Sequence, residues 1–126
     1  MSVKYNVVER GNPSDANAPK KYYPSPVSSG SVDLRQIAKR AAEISTVSMP
    51  DAMAVIEALL ILIPDELGRG NIVKLGDFGS FWVRLKTESG DAAEDVTSHH
   101  VTGIIPRFTP GKEFKANLKN VTFEKK

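Results

Sequence analysis

The chain has 126 residues, a formal net charge of +2, 40% hydrophobic residues and 25% charged residues. This length and composition are typical of one globular domain, or one domain with an extension, and they argue against wholesale disorder. Because there is no cysteine, structural disulfides, thiolate zinc sites and cysteine catalysis are excluded. The start lacks the features of a secretory signal, and the longest apolar run, residues 58–64, is far shorter than the roughly 20 residues of a membrane span. We therefore expect a cytoplasmic protein.

The first thirty residues predict two strands joined by a loop. Apolar and polar side chains alternate over residues 3–10, as in a strand. Residues 11–19 are rich in glycine, proline, asparagine and aspartate, which indicates a loop. Residues 20–27 contain two tyrosines, but Pro24 and Pro26 cannot donate backbone hydrogen bonds. This segment is therefore predicted to be an edge strand or a polyproline segment.

Two helices follow. The first is predicted from an N-cap at Ser31 or Asp33 to about Ile44. Ser48 is the predicted N-cap of the second, and Pro64 should end or kink it. The second helix is apolar on nearly all sides and so needs cover on two of them, which a second subunit would supply most simply.

The second half predicts three strands and a short helix. The strands are expected at residues 72–75, 80–86 and about 101–108, and the helix follows residues 109–111. Along the middle strand, apolar residues alternate with Trp82, Arg84 and Lys86, so that one face is apolar and the other is cationic. The short helix is expected to turn Phe114 and Leu118 inward.

Two motifs about 25 residues apart carry a family resemblance: VKLGDFGSF at residues 73–81 and IPRFTPGKEF at residues 105–114. Together with the upstream helices, residues 31–121 resemble the bacterial histone-like HU and integration host factor family. The resemblance implies an α+β fold and an intertwined dimer, with a helical base, a β-sheet saddle and two arms that grip and bend DNA. Residues 1–30 lie outside the family's usual domain, so we expect an N-terminal β extension and linker, followed by an HU-like DNA-binding domain over residues 31–126.

The resemblance also implies DNA-binding and dimer-interface residues. The family's phosphate-binding cations fall on Arg84, Lys86, Lys112 and Lys115, whereas Thr109 stands where the family often has a lysine. Further cations on or near the same surface are Arg107 and Lys119. The alternative is that the lysines are ordinary solvated residues. The residues expected at the dimer interface are Ile56, Leu59, Leu60, Ile63, Phe78 and Phe81.

The segment between the motifs, residues 87–100, corresponds to the family's arm and is here named the arm segment. The family has a basic arm tipped by a proline wedge, whereas the arm segment has four carboxylates and no lysine, arginine or proline. We expect a solvated or disordered loop and weakened DNA bending. The resemblance thus predicts largely sequence-independent binding of double-stranded DNA by a nucleoid-associated architectural protein. The alternative is an HU-derived dimeric module whose arm segment or extension binds another protein.

Catalytic, metal-binding and cofactor-binding patterns are not found in the sequence. His99 and His100 would point to opposite faces of a strand, which predicts a surface pair rather than a metal site. We therefore expect no enzymatic activity and no cofactor. Lys20, Lys21, Tyr22 and Tyr23 leave two interpretations open: stacking of single-stranded nucleic acid, or packing of the extension onto the body.

Overall fold

The computed structural model describes all 126 residues and has an α+β fold. In chain order the elements are β1 (Ser2–Arg10), β2 (Lys21–Val27), α1 (Leu34–Glu43), α2 (Met49–Gly68), β3 (Val73–Lys74), β4 (Gly79–Thr87), β5 (Val101–Pro110), α3 (Lys112–Ala116) and β6 (Thr122–Lys125). The chain divides into two compact units. The first comprises Met1–Asp33 and Leu118–Lys126, and the second comprises Leu34–Asn117.

The first unit is a three-stranded sheet in the order β2-β1-β6. β2 is antiparallel to β1 and lies at an edge, as its two prolines predict. β6 runs parallel to β1 and pairs with its first half, from Ser2 opposite Thr122 to Tyr5 opposite Lys125. The sequence did not predict β6, and it placed residues 118–126 with the HU-like domain. In the structure these residues belong to the first unit, because the backbone of the short, charged strand β6 pairs with β1.

The second unit begins with α1 packed against α2. The predicted start of α2 is confirmed: Ser48 is the N-cap, and its hydroxyl accepts a hydrogen bond from the Asp51 amide at 3.2 Å. Of the two effects expected of Pro64, an end or a kink, it is the end that does not occur, since α2 continues to Gly68. Proline removes only one backbone donor, and the turn after it is held by a 3.0 Å ion pair between Asp65 and Arg69.

The sheet of the second unit has the order β3-β4-β5, with both pairings antiparallel. A 3₁₀ turn at Gly76–Phe78 joins β3 to β4. α3 follows β5 directly and is shorter than predicted, so Leu118 lies beyond it. The prediction that Leu118 points inward is wrong, because 57% of this residue is exposed.

Very little of the chain is buried. Ala38, Ala52 and Leu67 are the only buried hydrophobic residues, and no polar or charged residue is buried. Most large side chains of α2 are exposed or half-buried. A single copy of the chain therefore leaves unburied much of the apolar surface that would form a core. None of the helices is both long enough and apolar enough to cross a membrane.

Candidate nucleic-acid interface

The register of β3, β4 and β5 brings several cations to one face of the sheet. Directly opposed residues of antiparallel strands share a face, as do alternate residues along one strand. Lys74 lies opposite Ser80, and Arg107 lies opposite Trp82. Arg84 and Lys86 follow at alternate positions of β4. Lys74, Arg84, Lys86 and Arg107, together with Trp82, are here named the cationic face.

Trp82 is fixed within the cationic face by a hydrogen bond across the strands. Its indole Nε1–H donates to the hydroxyl oxygen of Thr109 at 2.7 Å. Both residues line a shallow groove of roughly 460 Å³, which Lys74 and Asn71 also line. Thr109, for which the sequence resemblance implies a position where a lysine is often found, thus orients the indole instead of supplying a charge.

The opposite face of the sheet carries an aromatic cluster. Phe108 lies 4.8 Å from Phe81, 5.6 Å from Phe78 and 5.6 Å from Phe114, measured between ring centroids. Two glycines allow this packing: a Cβ on Gly79 would come within 2.6 Å of the Phe108 ring, and the amide of Gly111 donates to the Phe78 carbonyl at 2.8 Å. Through Phe114, the cluster therefore packs α3 against the apolar face of the β3-β4-β5 sheet.

The predicted DNA-binding residues fall into three groups. Arg84, Lys86 and Arg107 share the cationic face. Lys112 and Lys115 are exposed on α3, on either side of Glu113, and this helix packs on the apolar face. Lys119 belongs to the first unit. The strand register therefore places the three strand cations on one face of the sheet. Lys112 and Lys115 are instead exposed on α3.

The predicted dimer-interface residues lie on α2 and in the aromatic cluster. Ile56 and Ile63 are half-buried, while Leu59 and Leu60 are exposed. Ile61, on another side of the same helix, is 71% exposed. In the cluster, Phe81 is half-buried and Phe78 is 46% exposed. Apolar side chains on more than one side of α2 therefore lack cover within the chain.

The arm segment is folded into short turns. The ladder between β4 and β5 ends at Thr87 opposite Val101, and the Glu88 amide then donates to the His100 carbonyl at 2.7 Å. Two 3₁₀ turns follow, at Ala93–Asp95 and Ser98–His100. The loop is thus hydrogen-bonded rather than free of structure, and it does not extend the two-stranded ladder.

The histidines of the arm segment do not lie on a strand, contrary to the sequence interpretation. Both belong to the second 3₁₀ turn. The Nδ1 atom of His100 accepts a hydrogen bond from the Thr97 amide at 3.0 Å, which stabilises the start of that turn. No group of three or more histidine, cysteine, aspartate or glutamate side chains in the chain could hold a metal ion.

The family model of HU-HIG, described as an HU domain fused to wHTH, Ig, or Glycine-rich motif, matches residues 1–125. The chain belongs to the HU-HIG family. No curated protein has a significant match to it. Among solved structures, this HU-HIG chain is similar to a Bacteroides vulgatus ATCC 8482 protein described as a DNA-binding protein, with a TM-score of 0.70 and 15% identity. The similarity covers 98% of this chain and 47% of the Bacteroides chain, so this chain spans about half the length of its structural relative.

A second similar structure is Anabaena HU in a cocrystal with DNA. The TM-score is 0.56 and the identity 24%, over 71% of this chain and 99% of the HU chain. The predicted HU-like fold is therefore confirmed for this HU-HIG chain.

Two residues of the cationic face were not among the predicted sites. Lys74 lies within the first motif, but its position on this face depends on its pairing with Ser80. Trp82 was placed on the cationic side of its strand by alternation, yet its bond to Thr109 links residues 27 positions apart. The available sequence signal was the alternation along β4, and it does not give the register of the neighbouring strands.

Proposed function

We propose that this HU-HIG chain binds double-stranded DNA as a homodimer, largely without regard to base sequence. The observation that carries the proposal is the cationic face, where four cations from three strands lie on one side of an HU-like sheet. Lysine and arginine side chains bind phosphates through charge, and phosphate contacts carry no direct sequence information. The function is thus that of a nucleoid-associated architectural protein acting in the cytoplasm.

The exposed apolar surface of α2 supports the homodimer. Burying a leucine or isoleucine side chain contributes about 1.5 to 3 kcal/mol relative to leaving it in water. Leu59, Leu60 and Ile61 are all exposed in the single chain. Packing two copies through α2 would cover such side chains and complete the core that one chain lacks. The dimer also doubles the number of cations available to one duplex.

The folded arm segment supports weak bending. Kinking a duplex costs a few kcal/mol for unstacking a base step, which proteins recover with an apolar wedge and nearby cations. The arm segment supplies Glu88, Asp91, Glu94 and Asp95 without a cation or a proline. Its turns also keep it from extending beyond the β4–β5 ladder as a strand pair. We therefore propose that the protein binds DNA without the sharp bend of HU proteins that carry a wedge.

A salt series with a labelled duplex tests the proposal. Each phosphate neutralised adds about 0.9 to the magnitude of the slope of log affinity against log salt concentration. Arg84→Ala with Lys86→Ala removes four cations per dimer, so this magnitude should fall by about 3 to 4 if all four contact phosphates. Lys112→Ala with Lys115→Ala measures the contribution of α3 in the same way.

The matched control is Arg35→Ala with Lys39→Ala, which removes two exposed cations from α1. Its salt slope should change little. Equal duplex affinity for the wild type and a variant lacking Arg84, Lys86, Lys112 and Lys115, measured at low salt, would rule out this surface. If the wild type itself fails to bind duplex at low salt, the protein-interaction module becomes the better explanation.

A further inference from the structure

The sheet of the first unit places two cations side by side at one end of one face. Directly opposed residues share a face, and the register sets Arg10 opposite Lys21. Tyr23 lies on the same face as Lys21, whereas Tyr22 lies on the other, since side chains alternate along a strand. The motif at residues 20–23 therefore presents one strand cation and one ring to this face, not two adjacent rings.

Arg10, Lys21 and Tyr23 line a groove of roughly 550 Å³, here named the basic groove. The loop between β1 and β2 supplies the rest of its lining, including Asn12. Both cations are exposed, and Tyr23 is 44% exposed. A ligand entering from solvent therefore meets hydrogen-bond donors from an arginine, a lysine and a tyrosine.

The positive charge of the basic groove is not neutralised within the chain. Neither Arg10 nor Lys21 has a carboxylate within ion-pair distance, and no aspartate or glutamate lines the groove. Glu9 lies on the opposite face of β1. In the loop, Asp15 Oδ1 accepts a hydrogen bond from the Asn17 amide at 3.0 Å. Like charges directly opposite each other destabilise a strand pair, so a bound anion would relieve this repulsion.

The third cation of this face has a different environment. Lys4 has Glu124 directly opposite it on β6, and Glu124 also accepts a hydrogen bond from the Ser2 hydroxyl at 3.3 Å. Six residues of β1 separate Lys4 from Arg10, which corresponds to roughly 20 Å along the strand. The uncompensated charge is therefore confined to the end of the sheet that carries the basic groove.

The donors of the basic groove suit a phosphate group better than a carboxylate. The guanidinium of an arginine is a fork of donors that matches phosphate oxygens, and a lysine adds a point charge. A phosphate monoester carries a charge of about −1.5 to −2 at neutral pH and has three strong acceptor oxygens, so it balances both cations. A single carboxylate balances only one. Two neighbouring phosphates of a nucleic-acid backbone, with one charge each, also balance the pair.

We propose that the basic groove is a phosphate-binding site. Arg10 and Lys21 bind the phosphate oxygens, and the Tyr23 hydroxyl donates a further hydrogen bond. The phosphate belongs either to a nucleic-acid backbone or to a free phosphate or monoester, since the same donors serve both. The site lies in the first unit and uses no residue of the cationic face, so it does not rest on the duplex binding proposed there.

The first experiment titrates the ¹⁵N-labelled full chain with inorganic phosphate, with sodium chloride of equal ionic strength as the reference. The backbone amide signals of residues 10–23 should shift with phosphate and not with chloride. Arg10→Gln with Lys21→Gln should weaken phosphate binding about tenfold or more, because two charge-assisted hydrogen bonds are lost. Lys4→Gln with Lys125→Gln is the matched control: it removes two exposed cations of the same sheet outside the groove, and should bind phosphate like the wild type.

A salt series with a labelled duplex identifies the source of the phosphate. If the groove binds the DNA backbone, the Arg10 and Lys21 variant removes four cations per dimer. The magnitude of the slope of log affinity against log salt concentration should then fall by about 3 to 4, and that of the control variant should change less. An unchanged slope together with weakened binding of inorganic phosphate assigns the groove to a free phosphate or monoester.

The proposal fails if the amide signals respond to phosphate no more than to chloride and the duplex slope is the same in the groove variant and the wild type. It also fails if the control variant loses as much binding as the groove variant, which would indicate a general effect of charge. Tighter binding of oligoglutamate than of phosphate in the groove would overturn it in favour of an acidic protein partner. Circular dichroism of both variants verifies that the fold is retained, as expected for changes at exposed positions.

Discussion

At the scale of single residues, glycines decide whether the aromatic cluster can form. A Cβ on Gly111 would collide with the backbone of Asp77, in the turn that carries Phe78. This turn cannot withdraw as a flexible side chain could, because Gly111 also donates to the Phe78 carbonyl. Gly103, on β5, is different: its Cβ would meet only Lys86 side-chain atoms, the nearest at 3.7 Å.

We therefore expect Gly111→Ala to destabilise the fold and Gly103→Ala to leave it nearly unchanged. The cost at Gly111 should be about 3 kcal/mol or more, since overpacking against rigid backbone displaces the turn and the rings on it. Urea unfolding followed by circular dichroism gives both free energies of unfolding. Equal stability of the two variants would show that the turn at Asp77 adapts without cost.

Within the cationic face, alternation along one strand predicted the shared side of the β4 residues, whereas Arg107 was expected on or near the same surface from the resemblance. The alternation of Trp82, Arg84 and Lys86 with apolar residues fixed their common side before any pairing was known. Lys74 joins them through its pairing with Ser80, and the Trp82–Thr109 bond depends on the register of β4 with β5. Register is set by the turns and by side-chain packing across strands, which alternation along one strand does not determine.

At the scale of elements, α2 carries the exposed apolar surface assigned to the dimer. Leu59→Asp would place an uncompensated charge at that surface, at a cost of several kcal/mol if a partner subunit covers it. We expect loss of the dimer and loss of the fold together, detected by light scattering and circular dichroism. Lys39→Asp is the control, since it introduces the same residue at an exposed position of α1. A folded, monodisperse wild-type monomer at micromolar concentration would contradict the dimer.

The arm segment gives a second prediction at this scale. Deleting residues 88–95 should leave duplex affinity unchanged or raise it, because it removes carboxylates that repel phosphates. Bending should stay weak, as measured by ring closure of short duplexes or by energy transfer between labelled duplex ends.

The variant with Glu88→Gln, Asp91→Asn, Glu94→Gln and Asp95→Asn is the matched control for the deletion, since it removes the same four charges at constant length. It should have the same effect on affinity if charge is the cause. Sharp bending by the intact protein that disappears on deletion would show that the arm segment deforms DNA.

The elements that the sequence predicted are those with local signals. α2 starts at its predicted cap, and β2 is an edge strand because proline leaves few alternatives. β6 has no such signal: Thr122–Lys125 is a four-residue strand with two charged side chains, and its partner lies at the other end of the chain. Pairings of this kind arise from tertiary contacts and so escape reasoning from local pattern.

At the scale of the whole molecule, three buried hydrophobic residues are few for a chain of 126. If the remaining core forms between two copies, stability depends on protein concentration, because association stabilises the folded state by mass action. We expect the midpoint of thermal unfolding to rise by several degrees between low and high micromolar concentration. Calorimetry across such a series measures this rise, and a midpoint independent of concentration would argue for a self-sufficient monomer.

The parallel pairing of β1 with β6 has a consequence for the order in which the molecule can assemble. Ser2 and Glu124 are hydrogen-bonded yet stand 122 positions apart in the chain. While the protein is being synthesised, β1 leaves the ribosome before residues 34–117, and its partner strand β6 appears only after them. β1 can pair early with β2, but its other edge must wait until residues 34–117 have emerged. The HU-like unit can fold during that interval. Pairing of β6 with β1 is then a late step, which occurs only after residues 34–117 have been synthesised.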